Sequence, residues 1–220
     1  MADAGFWVRW GRNAISAALG GVVAWFAFIA HREVPVLDWF DLGMHEVGHM
    51  VTLFAPRMVM FLAGSVAQIA VPLALAWYFG FIRHDIAGGG FCLAWAGASA
   101  WDVSVYIADA PAQALPLIGG EHDWAYLLGR QGFDAIHLAD EIAGFVVYMG
   151  AVLAVVGIGW ALWSAVAGLK KPRAVPARSP IAENHAVAFG VDPWVEAANL
   201  PFKHEPAQEP VTGIRSPNPR

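Results

Sequence analysis

The chain has 220 residues, of which 58% are hydrophobic and 14% are charged, and its formal net charge is −5. A soluble domain is typically about 45–50% apolar and about 25% charged, so this composition indicates a membrane protein. The acidic balance provides no basic surface for nucleic acid, and the single cysteine, Cys92, excludes an internal disulfide and a cysteine-based zinc site.

Five apolar segments follow one another along the chain, and each predicts a helix. The first comes after Arg9 and Arg12, and we interpret it as an uncleaved signal anchor because no small-residue cleavage site follows it. The second is short and is interrupted by two histidines and a glutamate. The later segments are long enough to cross a bilayer. The five segments cover residues 14–30, 39–54, 58–82, 91–108 and 143–168.

Polar sequence separates and follows these segments. Residues 111–141 form the longest polar insertion, and nine of the fourteen prolines lie within residues 169–220. No apolar period continues through this last region. We therefore predict an all-α integral membrane domain over residues 1–168, built as a bundle of about five apolar helices (four to six). A disordered, proline-rich tail is predicted over residues 169–220.

Basic residues indicate the orientation of the chain in the plasma (inner) membrane. Lys170 and Lys171 place the C-terminal tail in the cytoplasm by the positive-inside rule, and Arg9 and Arg12 place the N-terminus on the same side. Two cytoplasmic termini require an even number of crossings, whereas there are five apolar segments. Segment 39–54 is the best candidate for incomplete crossing, because about 20 residues are needed to span the bilayer.

The short second segment contains the sequence His45-Glu46-Val47-Gly48-His49. On a helix, His45 and His49 project from the same face, so two imidazoles can bind one zinc ion beside a glutamate that accepts a proton from water. Ionisable groups within an apolar segment are costly to insert and are usually functional. We therefore predict His45 and His49 as zinc ligands and Glu46 as the general base. The alternatives are hydrated side chains at the membrane interface and a haem site.

These residues make the chain resemble the site-2 protease superfamily, the zinc metalloproteases that cleave within membranes. The match continues at Gly64 and Gln68, which are similar to the family's Gly-x-x-x-Asn element with glutamine in place of asparagine. The resemblance covers about residues 38–125, and it implies a zinc cofactor and a transmembrane protein substrate in the lipid bilayer. Alternatively, Gly64 and Ser65 are small residues that allow close helix packing.

A catalytic zinc site needs a third protein ligand. The family supplies it as an aspartate in a Leu-Asp-Gly motif, which this chain lacks. The nearest counterpart is segment 115–124, so we predict His122 or Asp123 as the third ligand, with Asp102 and Asp109 as alternatives. Because the family motif is absent, a second function stays open: a non-catalytic membrane scaffold or accessory subunit that retains the histidine pair for structure or metal binding.

Overall fold

The computed structural model of the chain describes residues 4–118 and 120–170. All regular secondary structure in these residues is helical, which confirms the predicted all-α class. The predicted tail, apart from the last two residues of the final helix, lies outside the described residues. The helices are α1 (Ala4–Phe28), α2 (Leu37–Val51), α3 (Arg57–Trp77), α4 (Ile86–Ala108), α5 (Asp123–Leu128) and α6 (Ala139–Lys170).

Three helices in the described part of the chain are long and apolar enough to cross a membrane. They are α3 together with the π-helical turn that extends it to Ile82, α4, and α6 together with a short 3₁₀ turn before it. The helix α2 has only 15 residues, and neither it nor α1 belongs to this set. Three of the five predicted segments therefore have the length and composition of a membrane span.

The helix α4 contacts α1, α3 and α6, and small residues allow α6 to approach it closely. A Cβ atom added at Gly97 of α4 would lie 2.4 Å from the carbonyl oxygen of Gly150 on α6. Only glycine fits at so short a distance between two backbones, and small residues of this kind are typical of helix packing in membranes. The helices α4 and α6 therefore pack closely against each other.

A buried carboxylate and a glycine orient the short helix α2. Asp41 is 5% exposed and accepts hydrogen bonds from the Trp95 indole N–H at 2.9 Å and from the Ser99 hydroxyl at 3.0 Å, both on α4. Further along, Gly48 packs so closely on α3 that a Cβ atom there would lie 2.3 Å from a backbone oxygen. His45 lies on the same buried face. The helix α2 therefore presents this histidine to the groups on α3 and α4.

The polar insertion predicted for residues 111–141 contains α5 and the loop that leads to it. The carboxylate of Asp109, just after α4, accepts two backbone N–H groups of this loop at 3.0 Å each. The side chain of His122 then caps α5 by accepting a backbone N–H at 3.3 Å. The two side chains also contact each other, with His122 Nε2 lying 3.3 Å from Asp109 Oδ2. Together they fix the direction in which the chain enters α5, which begins at Asp123.

Candidate metal centre

His45 and His49 on α2 and Asp123 at the start of α5 converge on one point. The Nε2 atom of His45 lies 2.9 Å from Oδ2 of Asp123, and the Nε2 atom of His49 lies 3.1 Å from the same oxygen. The side chains of all three residues are largely buried, with exposed fractions of 11%, 18% and 7%. They form a group that could hold a metal ion.

The other nitrogen of each imidazole determines which atom is available to a metal. The Nδ1 atom of His45 lies 3.2 Å from the amide oxygen of Gln68, and the Nδ1 atom of His49 lies 2.8 Å from the backbone oxygen of Met60. Both oxygens only accept hydrogen bonds, so each Nδ1 carries a proton and donates it. In the neutral imidazoles, both Nε2 lone pairs then point towards Asp123.

This arrangement fits a zinc ion. Two nitrogen lone pairs and a carboxylate oxygen repel one another unless positive charge lies between them. Two imidazoles and a carboxylate are a known ligand set of catalytic zinc, with metal–ligand distances of about 2.0–2.2 Å. Tetrahedral coordination at those distances separates neighbouring ligand atoms by about 3.3 Å. The separations of 2.9 Å and 3.1 Å between each histidine nitrogen and Asp123 are close to this value.

Gly64 on α3 lies directly against the two histidine rings. A Cβ atom added there would lie 2.6 Å from Nε2 of His45 and 2.7 Å from Nε2 of His49. These are the two nitrogen atoms that face Asp123. The glycine therefore faces the ligand atoms, in addition to any contribution that it makes to helix packing.

A cavity of about 670 Å³ opens onto His45, His49 and Asp123. Glu46, the predicted general base, lines it together with Tyr106. Among the residues that the structure describes, none forms a hydrogen bond or ion pair with the half-buried Glu46 carboxylate. This cavity volume lies within the range of about 300–1,000 Å³ that is usual for ligand sites. The Glu46 carboxylate is therefore available to a molecule that enters the cavity.

The structure places the other candidate ligands away from this group. The ring of His122 stacks on Tyr106, with centroids 4.2 Å apart, and its Nε2 faces Asp109. Asp102 accepts a hydrogen bond from the amide nitrogen of Gln68 at 2.6 Å. The Asp109 carboxylate accepts two backbone N–H groups of the loop that leads to α5. Of the four residues considered for the third position, Asp123 alone reaches the histidine pair.

Burial and hydrogen bonding shift the pKa values of His122 and Asp109, the two residues that contact each other beside the loop. Burial lowers the pKa of His122 below its usual value, and the opposing influence of Asp109 is smaller. Burial acts to raise the pKa of Asp109, but two backbone N–H groups and the contact with His122 lower it overall. A neutral imidazole beside an ionised carboxylate is consistent with the capping role of His122, whose Nδ1 must accept a hydrogen bond.

Further residues that the sequence patterns do not single out hold Asp123 in place. Its backbone N–H donates to the Tyr106 hydroxyl at 3.1 Å, which connects α5 to α4. The next residue, Trp124, donates its indole N–H to Ser65 of α3 at 3.0 Å. The backbone oxygen of Met60, which orients His49, likewise has no sequence signal. Gln68, the partner of His45, is the residue that stands in the sequence where the Gly-x-x-x-Asn element has asparagine, and no sequence pattern assigns it a role towards His45.

The chain was compared with protein-family models, with curated proteins and with solved structures, and none of them matches it. Two imidazole nitrogens, one carboxylate oxygen and the unpaired carboxylate of Glu46 face a single cavity.

Proposed function

We propose that the protein is an intramembrane zinc metalloprotease-like hydrolase, similar to the site-2 protease superfamily. The strongest support is the convergence of His45, His49 and Asp123 on a cavity that also contains Glu46. Catalytic zinc sites combine three protein ligands with an open coordination position, and this group meets the first requirement and opens onto a cavity. The three helices of membrane-spanning length support the location in a membrane, which we propose is the plasma (inner) membrane with the C-terminal tail in the cytoplasm.

Each residue of the site has a distinct role in this proposal. Bound zinc would act as a Lewis acid and would lower the pKa of a water molecule to about 7. His45, His49 and Asp123 would hold the metal, and the orienting contacts of the two rings would keep Nε2 directed at it. Glu46 would accept a proton from the water molecule that attacks the peptide carbonyl.

The proposed substrate is a transmembrane protein segment. The backbone hydrogen bonds of a membrane helix are all internal, so a helical substrate has to unwind locally before a peptide bond can reach the site. The cavity offers apolar contacts for such a segment from Leu42 and Leu53 near the histidines and from Val105 on α4. The polar side chains that line the cavity would let water reach the peptide bond that is exposed in this way.

The experiment begins with the zinc content of detergent-purified protein. We expect about one zinc per chain in the wild type and none in the His45→Ala, His49→Ala double variant. Glu46→Gln keeps the size of the side chain but cannot accept the proton, so it should retain zinc and lose hydrolytic activity by a factor on the order of 10²–10⁴. Glu33→Gln is the matched control, because Glu33 lines the same cavity but does not belong to the His45, His49 and Asp123 group, and its substitution should leave the zinc of that group and the activity unchanged.

Two results would contradict the proposal. A wild-type protein that binds no zinc would exclude the metal site. A zinc-loaded protein whose Glu46→Gln variant is as active as the wild type would exclude Glu46 as the base. Zinc binding without any hydrolysis of membrane peptides would favour the alternative, a non-catalytic scaffold with a structural metal.

A further inference from the structure

We propose that Asp102 is a positioning residue that acts through Gln68 to place the proton on Nδ1 of His45, leaving Nε2 available to the metal. A chain of hydrogen bonds joins the three residues: Asp102 on α4 accepts from the Gln68 amide nitrogen at 2.6 Å, and the Gln68 amide oxygen lies 3.2 Å from His45 Nδ1. This inference deepens the proposed function and rests on metal binding at His45.

The direction of every bond in this chain follows from the carboxylate at its end. The carboxyl oxygen Oδ2 of Asp102 accepts the short hydrogen bond from the amide nitrogen, so the –NH₂ end of the Gln68 amide faces Asp102. The amide oxygen then faces His45, and an amide oxygen also only accepts. Nδ1 of His45 is therefore the donor, and its neutral ring keeps the lone pair on Nε2.

Without the Asp102 carboxylate, neither Gln68 nor His45 would favour this direction of their hydrogen bond. The two ends of a glutamine amide have nearly the same shape and opposite hydrogen-bonding character. Gln68 is 3% exposed, so water molecules cannot readily reach the amide and replace the hydrogen bonds that it would lose if it were reversed. A reversed amide would present its –NH₂ group to Nδ1, and the proton of His45 would move to Nε2, where it blocks the metal.

The second histidine shows why only one such residue is needed. Nδ1 of His49 donates to the backbone oxygen of Met60, whose polarity is fixed because a peptide group in a helix cannot reverse. Of the two histidines, only His45 donates to a side-chain amide, that of Gln68. This amide in turn donates to the carboxyl group of Asp102. Partners of this kind, which orient metal-binding histidines, typically change metal affinity by 10–100-fold when they are removed.

The test replaces Asp102 by its neutral, nearly isosteric amide. We expect Asp102→Asn to bind zinc 10–100-fold more weakly than the wild type, measured by competition with a chromophoric chelator in detergent. The introduced amide can donate as well as accept, so it no longer fixes the direction of Gln68. Asp38→Asn is the matched control. The Asp38 carboxylate lies near Asp102 in the same cavity but does not form a hydrogen bond with Gln68, so the zinc affinity of this variant should equal that of the wild type.

A rescue variant separates this role from a general structural one. In the double variant Gln68→Glu, Asp102→Asn, the acid and the amide exchange places. The introduced carboxylate can accept both from the amide at position 102 and from His45 Nδ1, so the proton on His45 is again fixed. We expect its zinc affinity to recover to within a few-fold of the wild type or to exceed it. Loss of packing at position 102 would not be repaired by this exchange.

The possible failures are distinguishable. A wild-type protein without zinc contradicts the proposed function itself. A zinc-binding wild type whose Asp102→Asn variant has the same affinity contradicts the role of Asp102 alone. A double variant that binds no better than Asp102→Asn also contradicts it, provided that size-exclusion chromatography shows both variants to be folded.

Discussion

Replacement of Gly64 by alanine is expected to remove the metal and leave the fold in place. The added Cβ would lie 2.6 Å from Nε2 of His45 and 2.7 Å from Nε2 of His49, whereas Cβ atoms essentially never approach other atoms within 3.0 Å. The nearer nitrogen must therefore retreat by at least 0.4 Å. Metal–ligand distances are held to within about 0.2 Å, so both histidines cannot retain their coordination.

The fold should tolerate this change because the clash involves side chains and not another backbone. Alanine also favours the helical state by up to about 1 kcal/mol relative to glycine. Zinc content by mass spectrometry and thermal unfolding in detergent measure the two effects separately. The control is Gly43→Ala on α2, where an added Cβ has nothing within 4 Å and zinc should be unaffected. A Gly64→Ala variant with the zinc affinity of the wild type would refute the placement of the metal between the histidines.

Two further predictions concern the third ligand and the buried carboxylate on α2. Asp123→Ala should lower zinc affinity strongly in the chelator competition, whereas His122→Asn, which keeps a capping side chain, should retain about one zinc per chain; the reverse result would identify His122 as the ligand. Burial raises the pKa of Asp41 to about 7, although hydrogen bonds from two α4 side chains oppose it. A raised carboxyl pKa gives stability that is present below the unfolded value of 3.8 and lost as the pH rises through about 7. Asp41→Asn should therefore be more stable than the wild type at pH 8, by an amount on the order of 4 kcal/mol, and the difference should shrink towards pH 5; a constant difference across this range would refute it.

Local spacing made the histidine pair predictable, because residues four apart on a helix share a face wherever that helix lies. The same reasoning gave Glu46 a place beside them. It could not choose between His122 and Asp123, which are adjacent and both polar. That choice depends on the path of the loop: His122 is used to cap α5 and to contact Asp109, and this leaves Asp123 to face α2.

Contacts between helices were less predictable than the helices themselves. Apolar runs predicted α3, α4 and α6 closely, but a run of hydrophobic residues does not specify how a helix is rotated. The sequence therefore left Asp102 as an alternative metal ligand and did not indicate which helix its side chain faces. The rotation of α3 and α4 decides this, because it directs Gln68 towards both Asp102 and His45.

The pattern of satisfied hydrogen bonds explains why these polar groups are tolerated beside helices of membrane-spanning composition. Buried polar groups are costly unless each finds a partner. Asp41 is paired with donors on α4, Asp102 with the Gln68 amide, and both Nδ1 atoms with carbonyl oxygens. When both imidazoles are neutral, three acceptors face one another: the two Nε2 atoms and the Asp123 carboxylate oxygen. The metal ion of the proposed function, bound between these atoms, would complete this network.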